Sequence, residues 1–206
     1  MNTLALVQGL RFIDSFFPSG GYAFSSGLEA AVQAGAVRNA DDLSRYVADC
    51  LRMGLGTSDA VAVALAHRAA TEENIHIACD ADQELDAMKL CRELRGSSRQ
   101  MGRQVIRTAA AHVSRKFMLH DFAARVESDQ SPGHLAVCLG LTLGTFGWTR
   151  QSSVAAFLYQ SAVGFVSAAL KLLPIGQREA QRLLNHWTPL IDQLSRDAES
   201  RTEMTS

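Results

Sequence analysis

The residues whose spacing is most suggestive of chemistry are arginines in the segment 95–116, which contains no carboxylate. Arg95, Arg99, Arg103 and Arg107 recur every four residues. On one continuous helix this spacing aligns the four guanidinium groups in a stripe that drifts slowly round the axis. Like charges at this spacing repel by about 0.2 to 0.5 kcal/mol per pair. The stripe therefore predicts an acidic counterpart.

Three counterparts are compatible with the stripe. The upstream segment 72–86 carries six carboxylates and no Lys or Arg, so it can fold back and pair with the arginines. A partner protein can instead supply an acidic surface. A phosphate-bearing ligand or a nucleic acid is the third option, and it is disfavoured because the formal net charge is −1 and no aromatic residues interleave with the arginines.

Motifs of autonomous catalysis are absent from the sequence, which has no G-x-x-x-x-G-K-[ST], G-x-S-x-G, H-E-x-x-H or paired C-x-x-C. Two pairs at helical spacing, His76 with Cys79 and His134 with Cys138, each lack a third metal ligand nearby. We interpret each pair as a core cysteine beside a capping or surface histidine. We expect no catalytic residue, no metal site, no cofactor and no enzymatic activity.

The elements that carry these residues are predicted to be helical nearly throughout. Ala and Leu are abundant, and no segment alternates β-branched with polar residues. We predict an all-α fold, a single-domain bundle of about eight to ten helices over residues 1–206. Residues 196–206 are polar and uncapped, and we expect them to be disordered or to be a truncated C-terminal tail.

The chain is organised around residues 13–35, which we interpret as an elbow between two helices. Pro18 with the glycines at 20 and 21 ends the first helix, and Gly35 ends the second. Ser25 or Ser26 is the predicted N-cap of the second helix. The first helix is predicted to bury one face, and four aromatic residues are predicted to pack the elbow. The face comprises Leu6, Leu10, Ile13 and Phe17, and the aromatics are Phe16, Phe17, Tyr22 and Phe24.

Further helices are predicted from their caps and small residues. Asn39 caps a helix that runs to about Met53, and Ser58 or Thr57 caps the next. A helix opened by Pro132 is apolar and is predicted to be interior. Its glycines Gly140 and Gly144 are expected to face a neighbour's backbone. A long helix over about 152–172 has small residues at Ala156, Gly164 and Ala168, which predict a side suited to close packing.

Three motifs resemble the urease accessory protein UreF family and together span roughly residues 10–185. The first is DSFFPSGGYAFSSGLE, from Asp14 to Glu29. The second is the less specific set Glu93, Leu94, Arg95, Ser98, Arg99 and Gly102. The third is GFVSAALKLLPIGQ, from Gly164 to Gln177. The chain departs from the family pattern at its C-terminus, where relatives carry a longer tail with an R-H-E sequence that helps to bind UreD.

The resemblance implies a helical homodimer that bridges UreD (also called UreH) and the GTPase UreG on apo-urease and supports GTP-dependent nickel insertion. It implies partner contacts for a first group of residues and backbone-shaping roles for a second. The first group is Tyr22, Ser25, Glu29, Arg95, Ser98, Arg99, Lys171 and Gln177. The second group is Pro18, Gly20, Gly21, Gly27, Gly102, Gly164, Pro174 and Gly176. If the GTPase is stimulated, Arg95 or Arg99 is the candidate arginine supplied in trans.

Other classes remain open at this stage. A small-molecule-binding helical domain or a general protein-interaction domain is the main alternative, and the elbow residues Tyr22, Ser25 and Glu29 are the plausible start of a pocket. The four cysteines are widely spaced and no signal peptide precedes them, which predicts a reduced, cytoplasmic protein. Residues 154–175 are apolar over a bilayer's length but include polar residues and Lys171, which favours a buried helix.

Overall fold

The structure is a computed structural model that describes residues 1–18, 21, 24–113, 117–201 and 204. Within these residues it contains ten α-helices, one π-helix at Cys50–Leu55 and no strand, which confirms the predicted all-α bundle. The first five helices are α1 Thr3–Ile13, α2 Leu28–Gln33, α3 Ala40–Asp49, α4 Asp59–Glu72 and α5 Ile75–Met88. The last five are α6 Arg92–Ala111, α7 Phe117–Glu127, α8 Leu135–Thr145, α9 Arg150–Leu172 and α10 Gln177–Ser200.

Helix α8 is the centre of the fold, and it packs against α4, α6 and α9. Every residue from Ala136 to Leu143 is buried. A Cβ at Gly140 would overlap the Val63 carbonyl oxygen, and one at Gly144 would lie 3.1 Å from that of His67. The prediction that these glycines face a neighbouring backbone is confirmed, because only a residue without a side chain lets α8 approach α4 so closely.

Helix α9 packs against α4, α8 and α10. Its length and composition would suffice to cross a membrane, yet 44% of its most apolar window is buried inside the fold. Gly164 is exposed, and a Cβ added there would meet no atom within 4 Å, so this position makes no close contact within the described residues and its predicted backbone-shaping role stays a prediction. The buried positions of α9 are instead taken by larger residues, including Val154, Phe157 and Leu158.

Helix α1 is attached to the body by two side chains. The Trp148 indole Nε1–H donates to the Ala5 carbonyl oxygen at 2.8 Å, and the Gln160 amide donates to that of Phe12 at 3.2 Å. The buried positions of α1 are Ala5, Gly9 and Phe12. Of the predicted face, Leu6, Ile13 and Phe17 are half-buried and pack against the core, whereas Leu10 is exposed, so the prediction is wrong at Leu10. A Cβ at Gly9 would overlap the Trp148 ring, so the ring packs where a larger side chain could not fit. The large apolar residues left exposed in this segment are Met1, Leu4, Val7 and Leu10.

The elbow is only partly packed. Phe17 contacts Phe12 with ring centroids 5.3 Å apart, whereas the Phe16 side chain is 94% exposed. Gly27, with φ at 87°, occupies the N-cap position of α2, so the predicted serine caps are wrong. Gly35, with φ at 72°, follows the C-cap as predicted. Pro18 is exposed. Gly20 and Tyr22 lie outside the described residues.

The predicted cap of α3 is confirmed, since Asn39 Oδ1 accepts from the Asp42 backbone N–H at 2.9 Å. Ser58 occupies the N-cap position of α4, but its hydroxyl donates back to the Gly54 carbonyl oxygen. At the other end of the chain, α10 continues to Ser200 and buries Ser195 and Ala198. Residues 196–200, which were expected to belong to the tail, are therefore helical.

Candidate functional site

A buried carboxylate fixes the loop that leads into α8. Asp82 on α5 has no exposed surface and accepts three hydrogen bonds. They come from the Ser131 hydroxyl at 2.7 Å and from the backbone N–H groups of Gly133 at 2.6 Å and His134 at 2.8 Å. The carboxylate therefore satisfies donors at the N-terminal end of α8, where the helix dipole favours a negative charge.

The imidazole of His134 links α5 and α6. Its Nδ1 lies 3.0 Å from Ser98 Oγ, and its Nε2 lies 2.9 Å from Asp86 Oδ1. The Leu135 backbone N–H donates to Ser98 Oγ at 3.3 Å. Because a carboxylate can only accept, the neutral imidazole carries its proton on Nε2 and accepts the Ser98 proton at Nδ1.

The charges in this junction are set by burial and by hydrogen bonds. Burial lowers the pKa of His134 below 6.5, and the carboxylates of Asp82 and Asp86 only partly oppose this effect. For Asp86, burial raises the pKa, but hydrogen bonds from Arg99 and His134 outweigh it and hold the pKa below 3.8. The junction thus combines a neutral histidine with an ionised Asp86 at neutral pH.

The second motif, the set of residues from Glu93 to Gly102, contributes Ser98 and Gly102 to this junction. Ser98 is buried and its hydroxyl is engaged by His134 and Leu135, so it does not belong to an exposed surface, contrary to its predicted partner contact. A Cβ at Gly102 would overlap the Gly133 carbonyl oxygen. Gly102 therefore lets α6 approach the loop before α8, which is consistent with its predicted backbone-shaping role.

The arginine stripe is largely neutralised within the chain. Arg99 pairs with Asp86, Arg103 Nη2 lies 2.6 Å from Asp129 Oδ1, and Arg107 Nε lies 3.5 Å from Glu127 Oε1. The upstream acidic segment thus accounts for one pair, and residues at the end of α7 supply the other two carboxylates. Among the described residues, no carboxylate lies within ion-pair distance of Arg95.

The first and third motifs meet on another side of the fold, where α2 packs against α9. A Cβ at Gly27 would lie 3.2 Å from the Tyr46 hydroxyl, and the Tyr46 ring packs edge-on against Phe165 of α9. Burial, with a smaller effect of Cys50, raises the pKa of Tyr46 to about 12, so the phenol stays protonated.

Polar side chains from both motifs are accessible here. Glu29 is exposed, and its backbone N–H donates to Ser25 Oγ at 3.4 Å. Lys171 is exposed in the last turn of α9, and Gln177 is the exposed first residue of α10. The turn between α9 and α10 contains the exposed Pro174 and Gly176, which is the N-cap of α10. Before α2, the Gly21 carbonyl oxygen accepts a hydrogen bond from the Phe24 backbone N–H at 3.2 Å. We call Ser25, Glu29, Lys171 and Gln177 the elbow surface.

The predicted site residues therefore form two groups rather than one. Arg95 and Arg99 lie on α6, which packs against α7 and α8, whereas the elbow surface lies along α2, α9 and the start of α10. The buried α8 contacts both α6 and α9 and separates the two groups. We call the exposed part of α6 around Arg95 the arginine surface.

The two candidate metal pairs are placed differently. Both ring nitrogens of His134 have partners within the chain, and burial raises the pKa of the Cys138 thiol well above 9.0. His76 is exposed, and Cys79 is half-buried. In the part of the chain that the structure describes, no group of three His, Cys, Asp or Glu side chains is arranged to hold a metal ion.

A cavity lies between α6 and α7, lined by Arg103, Ile106, Arg107, Ala123, Val126 and Glu127. Its volume is about 10 Å³. This is room for about one water molecule, so this cavity does not fit a metabolite.

Sequence reasoning did not find the roles of Asp82, Asp86 and Lys89. The first two lie in the acidic segment, where they look like solvated charges. Lys89 Nζ lies 2.8 Å from the buried Asp59 Oδ1, which is 30 positions upstream. For Asp82, the signal in the sequence was the Pro132-Gly133-His134 turn, because the backbone N–H groups of Gly133 and His134 precede an apolar helix and need an acceptor.

Fold and surfaces together define the class of protein: an all-α bundle with separate exposed polar surfaces. Residues 37–188, more than half of the chain, match the model of the UreF family. Urease accessory protein UreF of Methylorubrum populi is 33% identical over 196 residues, covering 92% of this chain and 84% of the relative. UreF of Xanthobacter autotrophicus is 32% identical, covering 90% of this chain and 75% of the relative. UreF of Pseudomonas fluorescens is 33% identical, covering 92% of this chain and 83% of the relative.

The chain belongs to the UreF family of urease accessory proteins.

Proposed function

We propose that the chain bridges UreD (UreH) and the GTPase UreG on apo-urease and thereby supports GTP-dependent nickel insertion into the urease active site. Membership of the UreF family supports a role in urease maturation. The observation that supports bridging is the separation of the arginine surface from the elbow surface by the buried α8. Two surfaces on different sides of one fold allow two partners to bind at the same time.

The arginine surface is the proposed contact with the GTPase. Arg99 shares the Asp86 carboxylate with His134, so its guanidinium is held within the chain. Arg95 has no such pair among the described residues and is the better candidate for contacting an acidic or phosphate-bearing group of UreG. An arginine supplied in trans stabilises transition-state charge in GTP hydrolysis. Arg95 is therefore our candidate for modulating the GTPase.

The elbow surface is the proposed contact with UreD. Lys171 and Glu29 are both exposed and oppositely charged, and neither takes part in an ion pair within the described residues. Lys171 also complements the negative end of the α9 dipole, which contributes about 0.3 to 1 kcal/mol without a partner. A contact that uses both charges would give the interface orientation as well as affinity.

We further propose that the chain forms a homodimer in the cytoplasm and acts as an assembly factor without catalytic activity. Helix α1 exposes Leu4, Val7 and Leu10, and Gly164 leaves an open position on α9 one turn beyond Gln160, which bonds to α1. Exposed apolar side chains beside a helix face with a glycine, where another helix can approach closely, are typical of an interface between subunits.

Binding measurements with surface-specific variants test the proposal. Immobilised UreD and UreG from the same organism are titrated with the wild type, with Arg95→Glu, and with the double variant Glu29→Lys/Lys171→Glu. We expect Arg95→Glu to lose UreG and keep UreD, and the double variant to do the reverse. Arg45→Glu, on the exposed side of α3, is the matched control. If each variant retains both partners, or if either variant loses both, the division into two surfaces is wrong.

A further inference from the structure

The corner formed by the link 89–91 and the first residues of α6, 92–95, is held by a buried ion pair. Lys89 Nζ lies 2.8 Å from both carboxylate oxygens of Asp59, and only 6% of the Asp59 side chain is exposed. The Lys89 backbone N–H donates to the Leu85 carbonyl oxygen at 3.1 Å, and that of Leu90 donates to Met88 at 3.0 Å. The backbone that follows Lys89 is therefore fixed to the start of α4.

This fixed corner presents apolar side chains to solvent. Leu90 is 89% exposed and Leu94 is 40% exposed, and Cys91 between them is also exposed. Burial of exposed leucine side chains against a partner removes apolar surface from water, which favours association. A single exposed leucine is common on protein surfaces, but here two exposed leucines, one just before α6 and one in its first turn, lie beside the half-buried Arg95, and adjacent apolar and charged side chains of this kind suit a binding surface.

The charges around the corner indicate which partner fits. Arg92 is adjacent to Glu93, whose carboxylate accepts from the Cys91 thiol at 3.3 Å. Arg95 lacks a carboxylate within ion-pair distance among the described residues. Arg92 also lacks an ion pair among the described residues, so Arg92, Glu93 and Arg95 together leave a net charge of +1 next to the two leucines. The partner surface that complements this corner is an apolar pocket with a carboxylate on its rim.

We propose that the corner anchors the GTPase UreG by inserting Leu90 and Leu94 into an apolar pocket whose rim carboxylate pairs with Arg95. This inference rests on the proposed function, because it takes the partner to be a protein of the urease maturation complex. The Lys89–Asp59 pair holds the start of the corner in place, which lowers the entropic cost of ordering it on binding, so the leucines act as a preformed anchor. A nucleic acid would use the arginine but would leave the leucines in water, which disfavours it as the occupant.

Leu90→Ser and Arg95→Gln separate the two parts of this proposal. Both positions are compared by surface plasmon resonance on immobilised UreD and on immobilised UreG, at low and at high salt. On UreG, Leu90→Ser should raise the dissociation rate by about tenfold or more, because it removes the apolar anchor, whereas binding to UreD should be unchanged. Arg95→Gln should slow association and reduce its salt dependence. Met53→Ser and Arg45→Gln are the matched controls, since Met53 is 78% exposed on another part of the surface.

Each outcome decides a separate point. If the wild type binds neither UreD nor UreG, the proposed function fails and this inference fails with it. If the wild type binds and Leu90→Ser dissociates from UreG like Met53→Ser, or if Leu90→Ser weakens only the binding of UreD, the corner proposal alone is overturned. It is also overturned if Leu90→Ser lowers the mass of the chain alone in light scattering, because the corner would then join two copies. Thermal unfolding of each variant near the wild-type temperature shows that lost binding does not reflect lost folding.

Discussion

Nε2 of His134 lies 2.9 Å from Oδ1 of Asp86, the same carboxylate oxygen that accepts the Arg99 guanidinium. This single oxygen joins the start of α8, the helix α5 and the basic helix α6. The stripe of arginines is thus connected to the interior through a histidine that is fully buried. The geometry of the arginine surface depends on this junction.

Asp82→Asn should destabilise the fold strongly. The carboxylate accepts three hydrogen bonds in a fully buried position, and an amide would turn a donor toward at least one of those donors. We expect the free energy of unfolding to fall by about 3 kcal/mol. Urea denaturation measures the change, with Asp80→Asn on the exposed side of α5 as a control that stays within about 0.5 kcal/mol of the wild type. Equal stability of the two variants would show that the Asp82 bonds contribute little.

Acidification should destabilise the protein from pH 6.5 downward. Burial lowers the pKa of both His134 and His67 below 6.5, so the unfolded chain binds more protons than the folded one in this range. The stability that the neutral histidines contribute is fully present above pH 6.5 and is lost as the pH falls through their folded pKa values. Asp86, whose pKa is below 3.8, adds to the loss only at lower pH.

Denaturation series from pH 8 to pH 5 check this expectation in the wild type and in the variant His134→Gln. The variant should be less stable at neutral pH but should depend less on pH between 6.5 and 5, because the lowered pKa of His134 is gone. A steeper dependence in the variant, or wild-type stability that rises on acidification, would contradict the assignment of a neutral buried imidazole.

Two glycines of α6 should respond in opposite directions to alanine. A Cβ at Gly102 would overlap the Gly133 carbonyl oxygen, so Gly102→Ala should cost about 1 to 3 kcal/mol. No atom lies within 4 Å of a Cβ at Gly96, so Gly96→Ala should stabilise by about 0.5 to 1 kcal/mol through a stiffer helix. Thermal and urea unfolding of the pair measure both changes, and a neutral Gly102→Ala would mean that the loop before α8 moves freely.

Charged residues on the exposed apolar face of α1 should abolish the proposed homodimer. Leu4 and Val7 are exposed, so Leu4→Glu/Val7→Glu should leave the free energy of unfolding of the isolated chain nearly unchanged. The mass measured by size exclusion with light scattering should fall to that of one chain. Gln8→Glu on the same helix is the control for added charge. A wild type that is monomeric, or a double variant that remains dimeric, would move the interface away from α1.

The features that sequence reasoning predicted correctly are those determined by neighbouring residues. The Asn39 cap, the Gly35 stop and the interior position of Gly140 and Gly144 follow from local backbone chemistry and from an apolar run. The family resemblance was also correct, because its motifs are contiguous or lie on one helix.

The features that were wrong depend on contacts between distant segments. Leu10 was placed on the buried face of α1, but Trp148 packs on the neighbouring Gly9 and Leu10 is exposed. The acidic segment, one of three counterparts considered for the arginines, pairs with Arg99, whereas Arg103 and Arg107 pair with Asp129 and Glu127 further along the chain. No local pattern could have shown that Asp82 caps a helix 52 positions later. The partner contacts of Lys171, Glu29 and Gln177 stay predictions.

The bridging role is tested most directly by the mass of the complex formed from equimolar UreD, UreG and this chain, measured by size exclusion with light scattering. We predict one species that contains all three proteins, and no stable UreD–UreG complex when the chain is left out. A direct UreD–UreG complex that forms equally well without the chain, or a chain that elutes alone beside both partners, would contradict the bridging role.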